Sequence, residues 1–181
     1  MATKKAKPSC DDIEFDSEEE LEFYHWVKEA LEFGFISKYD YNNISYDLAP
    51  KQSYQVTKQL KTKTKVVDKH LFHAHIYTPD FILYPDTRWK LLKDEHKLLE
   101  LNDKPIVIDV KGTFQMHDGS RSFSMNQKWM YDKHGIYVNK LIPCKFFALT
   151  WLPEACKYTK KTKKLRAKYK DIPTLREKFA L

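Results

Sequence analysis

A short apolar stretch near the middle of the chain contains one carboxylate and one lysine, two positions apart. Asp109 and Lys111 lie in the run Pro105-Ile-Val-Ile-Asp-Val-Lys-Gly112, whose β-branched residues predict a buried strand. Successive side chains of a strand point to opposite faces, so Asp109 and Lys111 share one face. A buried carboxylate and ammonium are costly unless they pair or bind a ligand. The two residues therefore form either a structural ion pair or part of a polar site.

A second carboxylate, Glu20, is expected near the start of a helix. The sequence Ser17-Glu-Glu-Glu20 has the form of a capping box, which predicts a helix from about Ser17 to near Gly34. The apolar stripe of this helix, extended back by three and four residues, reaches Glu20 and not the neighbouring glutamates. Glu20 is therefore predicted to begin the buried face, either as the capping glutamate alone or as a functional carboxylate.

The elements between and after these residues are predicted from apolar patterns. Pro79-Asp80 opens an apolar run, within a region (71–84) that predicts a strand pair or one long bent strand. The other expected elements are strands at 44–56 and 58–67, a surface insertion with a loose helical pattern at 87–102, a loop at 112–121, a helix at 122–134, and strands at 136–141 and 145–151.

The composition predicts one globular domain. A chain of 181 residues with 42% hydrophobic content can bury a core without disulfides. No apolar run approaches the roughly 18 residues that span a bilayer, and the N-terminal residues lack the apolar segment of a signal peptide. The 3 cysteines are widely spaced, which favours reduced thiols. These features predict a cytoplasmic protein with no membrane partner.

Two basic segments are candidates for contact with a polyanion, which the net charge of +7 modestly favours. Lys61, Lys63 and Lys65 alternate with threonines, so they are either on a solvated edge strand or on a strip that faces phosphates. The segment 157–170 has basic residues, interleaved tyrosines and no acid, and is either a solvated tail or a nucleic-acid contact. Its candidate contacts are Lys160, Lys161, Lys163, Lys164 and Arg166.

The order of these motifs resembles the PD-(D/E)xK nuclease superfamily, and within it small phage-encoded endonucleases and Holliday-junction resolvases. The matching motifs are Ser17-x-x-Glu20, Thr78-Pro-Asp80-Phe-Ile-Leu83 and Val107-Ile-Asp-Val-Lys-Gly112. The resemblance implies an α/β fold with a restriction-endonuclease-like core, in which helices flank a mixed central β-sheet. The expected organisation is a disordered basic N-terminus at 1–10, a nuclease domain at 11–156 and a basic C-terminal extension at 157–181.

The resemblance also implies a metal-dependent reaction. Asp80 and Asp109 would hold Mg²⁺, for which Mn²⁺ would substitute, with the carbonyl of Val110 as a further ligand. Lys111 would orient or deprotonate the attacking water, or stabilise charge on the phosphate. Glu20 would support a second metal ion or a metal-bound water. The expected activity is hydrolysis of phosphodiester bonds in DNA.

A further motif lies on the helix predicted after Lys111. Gln127 and Tyr131 are four residues apart and resemble the Gln-x-x-x-Tyr helix of RecB-type nucleases. Gln127 or its neighbour Lys128 would then contact the scissile phosphate. The resemblance to phage proteins implies recombination or repair in the cytoplasm of a bacterial host, and a homodimer where two strands must be cut. The alternatives are a non-catalytic nucleic-acid-binding domain of the same fold and an RNA-binding protein that uses its basic tail.

Overall fold

The chain contains both helices and strands, and most of its strands lie between the first two helices. A computed structural model describes residues 6–92, 96–101, 105–112, 117–159 and 162–180, with the backbone alone at 117–120. The elements are β1 (Ser9–Cys10), β2 (Ile13–Glu14), α1 (Glu18–Glu32), β3 (Ile36–Tyr41), β4 (Tyr46–Ala49), β5 (Gln52–Gln59), β6 (Thr64–Phe72), β7 (His75–Tyr77), β8 (Phe81–Pro85), β9 (Ile106–Val110), α2 (His117–His134), β10 (Val138–Leu141), α3 (Pro143–Leu149), α4 (Glu154–Lys157) and α5 (Leu175–Phe179).

A four-stranded mixed sheet with the order β10-β9-β8-β3 forms the centre of the molecule. Strand β9 runs parallel to β10, with Asp109 opposite Lys140, and antiparallel to β8, with Ile108 opposite Phe81. All residues of β9 are buried, as expected for a central strand that is covered on both faces. The predicted α/β class with a mixed central sheet is therefore confirmed.

Helix α1 covers one face of this sheet. Ser17 caps its N-terminus, and the chain turns at Gly34, which has a φ of +71° that glycine adopts without strain. Phe23 packs edge-on against Phe81 with ring centroids 5.0 Å apart, and Trp26 stacks on Trp151 at 4.6 Å. The predicted helix from Ser17 to Gly34 is confirmed, and its aromatic face forms the larger core.

Helix α2 covers the opposite face and defines a second, smaller core. Met130 of α2 is fully buried in a cluster that includes Ile82, Val107 and Val138 of the sheet. Because side chains alternate along a strand, Asp109 points to the same face as Val107. The carboxylate therefore lies at the edge of the α2 side of the sheet.

The region 58–67, predicted as one strand, instead contains the turn of a hairpin and the ends of the two strands that the turn joins. Strand β5 ends at Gln59, β6 begins at Thr64, and the N–H of Leu60 donates to the carbonyl of Lys63 at 2.8 Å. The prediction was wrong because the alternation of lysine and threonine in the sequence continues through the turn, so the pattern does not reveal where the strand ends. Of the three lysines expected on one strand, Lys61 and Lys63 lie in the turn.

The region 145–151, predicted as a strand, is helix α3 followed by Thr150 and Trp151. Pro143 occupies the first turn of α3, where its fixed φ and missing N–H are tolerated. Phe146 and Phe147 are both buried. Periodicity cannot show whether so short an apolar run forms a strand or a helix. Contacts with α1 in the folded protein favour the helix.

Other predicted boundaries also differ. The region 44–56 is divided between β4 and β5, and 71–84 contains the end of β6, all of β7 and most of β8. Helix α2 begins at His117, within the region 112–121 that was predicted as a loop. A short 3₁₀ helix at Thr87–Leu91 is the part of 87–102 with regular structure among its described residues.

Both ends of the described chain pack on the domain. Ser9–Cys10 pairs with Ile13–Glu14, although 1–10 was predicted to be disordered. Tyr169 and Leu175 are buried in the larger core, and the N–H of Leu152 donates to the carbonyl of Pro173 at 2.8 Å. The described part of the predicted extension thus contributes to the core. Within the described ranges, no helix is long and apolar enough to cross a membrane.

Candidate functional site

Two aspartates meet where β8 begins and β9 ends. Asp80 directly precedes β8, and Asp109 is the fourth residue of β9. Because Phe81 is paired with Ile108, continuing the antiparallel register brings Asp80 alongside Asp109. The N–H of Val110 donates to Oδ2 of Asp80 at 2.6 Å, which holds the Asp80 carboxylate against the end of β9.

Asp109 is buried and contacts two side chains. The hydroxyl of Tyr77 donates to its Oδ1 at 3.2 Å, and Nζ of Lys111 forms an ion pair with its Oδ2. The side chain of Lys111 is 24% exposed, so its ammonium lies at the mouth of the site. The ion pair between Asp109 and Lys111, one of the two alternatives from the sequence, is therefore present. A purely structural ion pair would not need a second carboxylate beside it, whereas Asp80 lies there.

The electrostatics of the two aspartates are unfavourable without a further cation. Burial, together with the negative charge of Asp109, raises the pKa of Asp80 to about 7, while Lys111 acts in the opposite direction. Burial and the charge of Asp109 also raise the pKa of Tyr77 above its usual range, which keeps its hydroxyl a hydrogen-bond donor. A cation bound between Asp80 and Asp109 would relieve this repulsion.

The oxygen ligands at this site fit a hard divalent cation. Because the Val110 N–H donates to Oδ2 of Asp80, the other carboxylate oxygen, Oδ1, is the candidate metal ligand. The carbonyl of Val110 lies at the end of β9. Across the described ranges, no group of three or more His, Cys, Asp or Glu side chains is arranged to hold a metal ion. Mg²⁺ needs only one or two carboxylates because it keeps several waters, whereas a structural zinc site needs four protein ligands.

Glu20 lies in the first turn of helix α1 and also influences the aspartates. Its Oε1 accepts from the Ser17 hydroxyl at 2.8 Å, and its Oε2 accepts from the Asp16 N–H at 3.2 Å and the Tyr41 hydroxyl at 2.9 Å. The Glu20 N–H donates to the Ser17 hydroxyl at 3.1 Å, so Ser17 caps the helix, whereas the Glu20 carboxylate accepts from the Asp16 N–H where a full capping box would use the Ser17 N–H. The charge of Glu20 also contributes to the raised pKa of Asp80. These three donors hold Glu20 in place, and it acts on the site through its charge.

Glu19, which the helical pattern did not select, also approaches the end of β9. Its Oε1 lies 3.1 Å from the position that a Cβ on Gly112 would occupy. A Cβ there would be in tight contact with this carboxylate, which would have to shift by a few tenths of an ångström. The amphipathic pattern selects side chains by face alone, and nothing in it indicates which glutamate of the first turn approaches β9.

Glu22 is a buried carboxylate that the sequence interpretation missed. It is 5% exposed and accepts from Arg166 at 2.5 Å, from Lys168 at 2.9 Å and from the hydroxyl of Tyr169 at 2.5 Å. Arg166, predicted to bind nucleic acid, is thus paired within the protein. Its partner lies 144 residues away in the chain, a separation that no local pattern spans.

The other predicted contacts are dispersed. The side-chain amide of Gln127 donates to the carbonyl of Val138 at 2.7 Å, so it ties α2 to β10, and Lys128 is exposed on α2. Lys163 and Lys164 are exposed, while Lys160 and Lys161 lie outside the described residues. The structure brings together Asp80, Asp109, Val110 and Lys111, with Glu20 close by, and leaves these lysines separate from them.

Comparison of the chain with protein-family models, with curated proteins and with solved structures found no match. Interpretation of the site therefore rests on its own residues and on the resemblance of its motifs.

Proposed function

We propose that the protein is a metal-dependent endonuclease that hydrolyses phosphodiester bonds in DNA, with a restriction-endonuclease-like core. The observation that carries the proposal is the convergence of Asp80 and Asp109 with Lys111 at adjacent strand ends of a mixed sheet. This is the residue set and strand context that the PD-(D/E)xK motif order predicts. The raised pKa of Asp80 supports a cation site, because two buried carboxylates without one repel each other.

In this proposal Asp80 and Asp109 hold Mg²⁺, with the Val110 carbonyl as a further ligand and Mn²⁺ as a substitute. When bound, the ion supplies Lewis acidity toward a phosphate oxygen and lowers the pKa of water. Lys111 then directs its ammonium toward the phosphate or the attacking water and neutralises developing charge. Tyr77 orients the Asp109 carboxylate through its hydroxyl, and Glu20 fixes the start of α1 beside the site.

The motif resemblance extends the proposal to the biological role. It supports action on branched DNA, in phage or mobile-element recombination or repair, within the cytoplasm of a bacterial host. A homodimer would place two such sites on two strands. The second candidate is a DNA-binding domain of the same fold without catalysis, with which the Lys111–Asp109 ion pair is also compatible.

The test is cleavage of a labelled four-way junction and of a linear duplex with the same sequence. Each substrate is incubated with Mg²⁺, with Mn²⁺ or with EDTA, using the wild type, Asp109→Ala and Asp86→Asn. Asp86 belongs to the second Pro-Asp pair and caps the 3₁₀ helix by accepting from the Thr87 N–H at 2.6 Å, a contact that asparagine retains. We expect metal-dependent cleavage that falls by roughly 100-fold or more in Asp109→Ala.

Asp86→Asn is expected to cleave like the wild type. Cleavage that survives in Asp109→Ala would contradict the site assignment. Tight binding of DNA by the wild type, without cleavage under any metal condition, would favour the non-catalytic candidate. The ratio of junction to duplex cleavage separates a resolvase from a general endonuclease.

A further inference from the structure

Strands β5 and β6 form a hairpin that projects from the domain. The two strands pair with each other along their length and form a separate two-stranded sheet. Their residues are exposed, except that Val56 and Val67 are half-buried. Eight residues of strand extend about 26 Å at roughly 3.3 Å per residue. A hairpin of this length with so little burial contributes little to the core, so its sequence is free to serve another purpose.

The register of the hairpin gathers its strand lysines on one face. Lys58 is opposite Lys65, and Tyr54 is opposite Lys69. Residues directly opposite in an antiparallel pair share a face, and so do alternate residues of one strand. The cationic face therefore consists of Tyr54, Val56, Lys58, Lys65, Val67 and Lys69.

The charge of this face is not balanced within the described part of the protein. No described carboxylate forms an ion pair with Lys58, Lys65 or Lys69. Asp68 is opposite Gln55 and therefore lies on the other face. Like charges directly opposite each other destabilise a strand pair, as Lys58 and Lys65 do here. An external polyanion bound to this face would remove that cost.

The hairpin originates beside the candidate site. Strand β4 leads into β5, and β6 leads into β7, while β4 and β7 pair with each other at its base. Tyr77, at the end of β7, donates its hydroxyl to Asp109. A nucleic acid bound along the hairpin would therefore contact β6, which leads into β7, the strand whose Tyr77 contacts the site.

We propose that the cationic face of the β5–β6 hairpin binds the phosphate backbone of double-stranded DNA adjacent to the cleavage site. Lys65 and Lys69 are separated by about 13 Å along the strand, close to four nucleotide steps of roughly 3.4 Å. A two-stranded ribbon also matches the width of the major groove. Tyr54 adds an aromatic ring to the same face. The inference deepens the proposed nuclease function, on which its mention of a cleavage site rests.

The test uses the full chain with the three face lysines changed together, Lys58→Gln, Lys65→Gln and Lys69→Gln. The matched control removes the same charge elsewhere, with Lys90→Gln, Lys133→Gln and Lys145→Gln, all exposed residues of other elements. Binding to a labelled duplex of about 30 base pairs is measured in EDTA over a series of salt concentrations, so that no cleavage occurs. Circular dichroism checks that both variants are folded.

We expect the face variant to lose about tenfold or more in affinity, and its plot of log K against log salt to flatten by about 2 to 3. The control is expected to keep most of the affinity and slope. Equal effects in the two variants would overturn the proposal, as would an unchanged slope in the face variant. A greater loss of affinity for single-stranded RNA than for the duplex would overturn the assignment to double-stranded DNA.

The cleavage assay and the binding assay test the two proposals independently. Loss of duplex binding specific to the face variant, in a protein that never cleaves, would support the hairpin and contradict the nuclease. Metal-dependent cleavage with unaltered binding in the face variant would support the nuclease and contradict the hairpin.

Discussion

At the scale of single residues, the unusual feature is a pair of carboxylates held together by the backbone. The Val110 N–H holds Asp80, while Tyr77 and Lys111 hold Asp109, so neither can move away from the other without breaking a contact. Burial and mutual repulsion raise the pKa of Asp80 to about 7. A side chain that costs stability in the metal-free protein is expected where it serves ligand binding.

Asp80→Asn is expected to stabilise the metal-free protein at pH 8. Because the folded pKa of Asp80, about 7, lies above its ordinary value, ionisation disfavours the folded state. The penalty is absent below about pH 4, grows between about pH 4 and 7, and is constant above. We expect a gain of up to about 4 kcal/mol at pH 8, measured by urea unfolding in EDTA at pH 4, 6 and 8.

The same variant is also expected to lose the stabilisation that Mg²⁺ gives to the wild type. Asp86→Asn serves as the control, because Asp86 is exposed and follows the end of β8 opposite to the end that holds Asp80. A destabilised Asp80→Asn protein at pH 8 would show that the Asp80 carboxylate is stabilised by its surroundings, contrary to the electrostatic argument.

At the scale of elements, α1 connects the site to the C-terminal segment. One turn of the helix carries Glu19, which approaches Gly112, and Glu20, whose carboxylate accepts from the Ser17 hydroxyl. Glu22, in the same turn, binds Arg166 and Lys168. The acidic start of α1 therefore contacts two distant parts of the chain, the segment after β9 through Glu19 and the basic C-terminal segment through Glu22.

Glu22→Gln is expected to destabilise the protein by about 2 to 4 kcal/mol. The substitution leaves the positive charges of Arg166 and Lys168 beside a neutral amide. Removing one partner of a buried ion pair destabilises the folded state because the remaining charge is no longer compensated. Urea unfolding gives the free energy, and limited proteolysis of 162–170 is expected to become faster. Glu18→Gln, at an exposed position of the same helix, is the control. Equal effects of both substitutions would mean that only the helix dipole is involved.

At the scale of the whole molecule, the last part of the chain completes the larger core. Tyr169 packs against Phe147 with ring centroids 5.8 Å apart, and Phe179 packs against Phe35 at 5.4 Å. Leu175 is 2% exposed. The aromatic and aliphatic residues of this segment therefore belong to the domain, and among its basic residues Arg166 and Lys168 pair with buried Glu22 while Lys163 and Lys164 are exposed.

Removal of everything after Lys157 is expected to abolish cooperative unfolding. Burying Tyr169 and Leu175 contributes about 2 kcal/mol each, a large fraction of the 5–15 kcal/mol that stabilises a domain. Thermal circular dichroism and urea titration measure the change. The control is the full chain with Lys163→Gln and Lys164→Gln, which removes exposed charge and leaves the core intact. A truncated protein that unfolds as sharply as the full chain would make this segment a separate extension.

The sequence by itself determined the features that depend on neighbouring residues. The N-cap at Ser17 and the glycine at Gly34 set the limits of α1, as observed. The β-branched run predicted the buried strand β9, and its two-residue period put Asp109 and Lys111 on one face, where they pair. Helical and strand periods are local properties of the backbone, so they can be read from a short stretch of chain.

Only the tertiary structure decided which distant residues meet. It paired Lys58 with Lys65 across a turn, made a helix of Pro143–Leu149, and buried Glu22 against Arg166. Each outcome depends on contacts between segments that the sequence separates, and on which apolar side chains can be buried together. Periodicity specifies the face of an element, whereas the partner of that face is set by the packing of the whole chain.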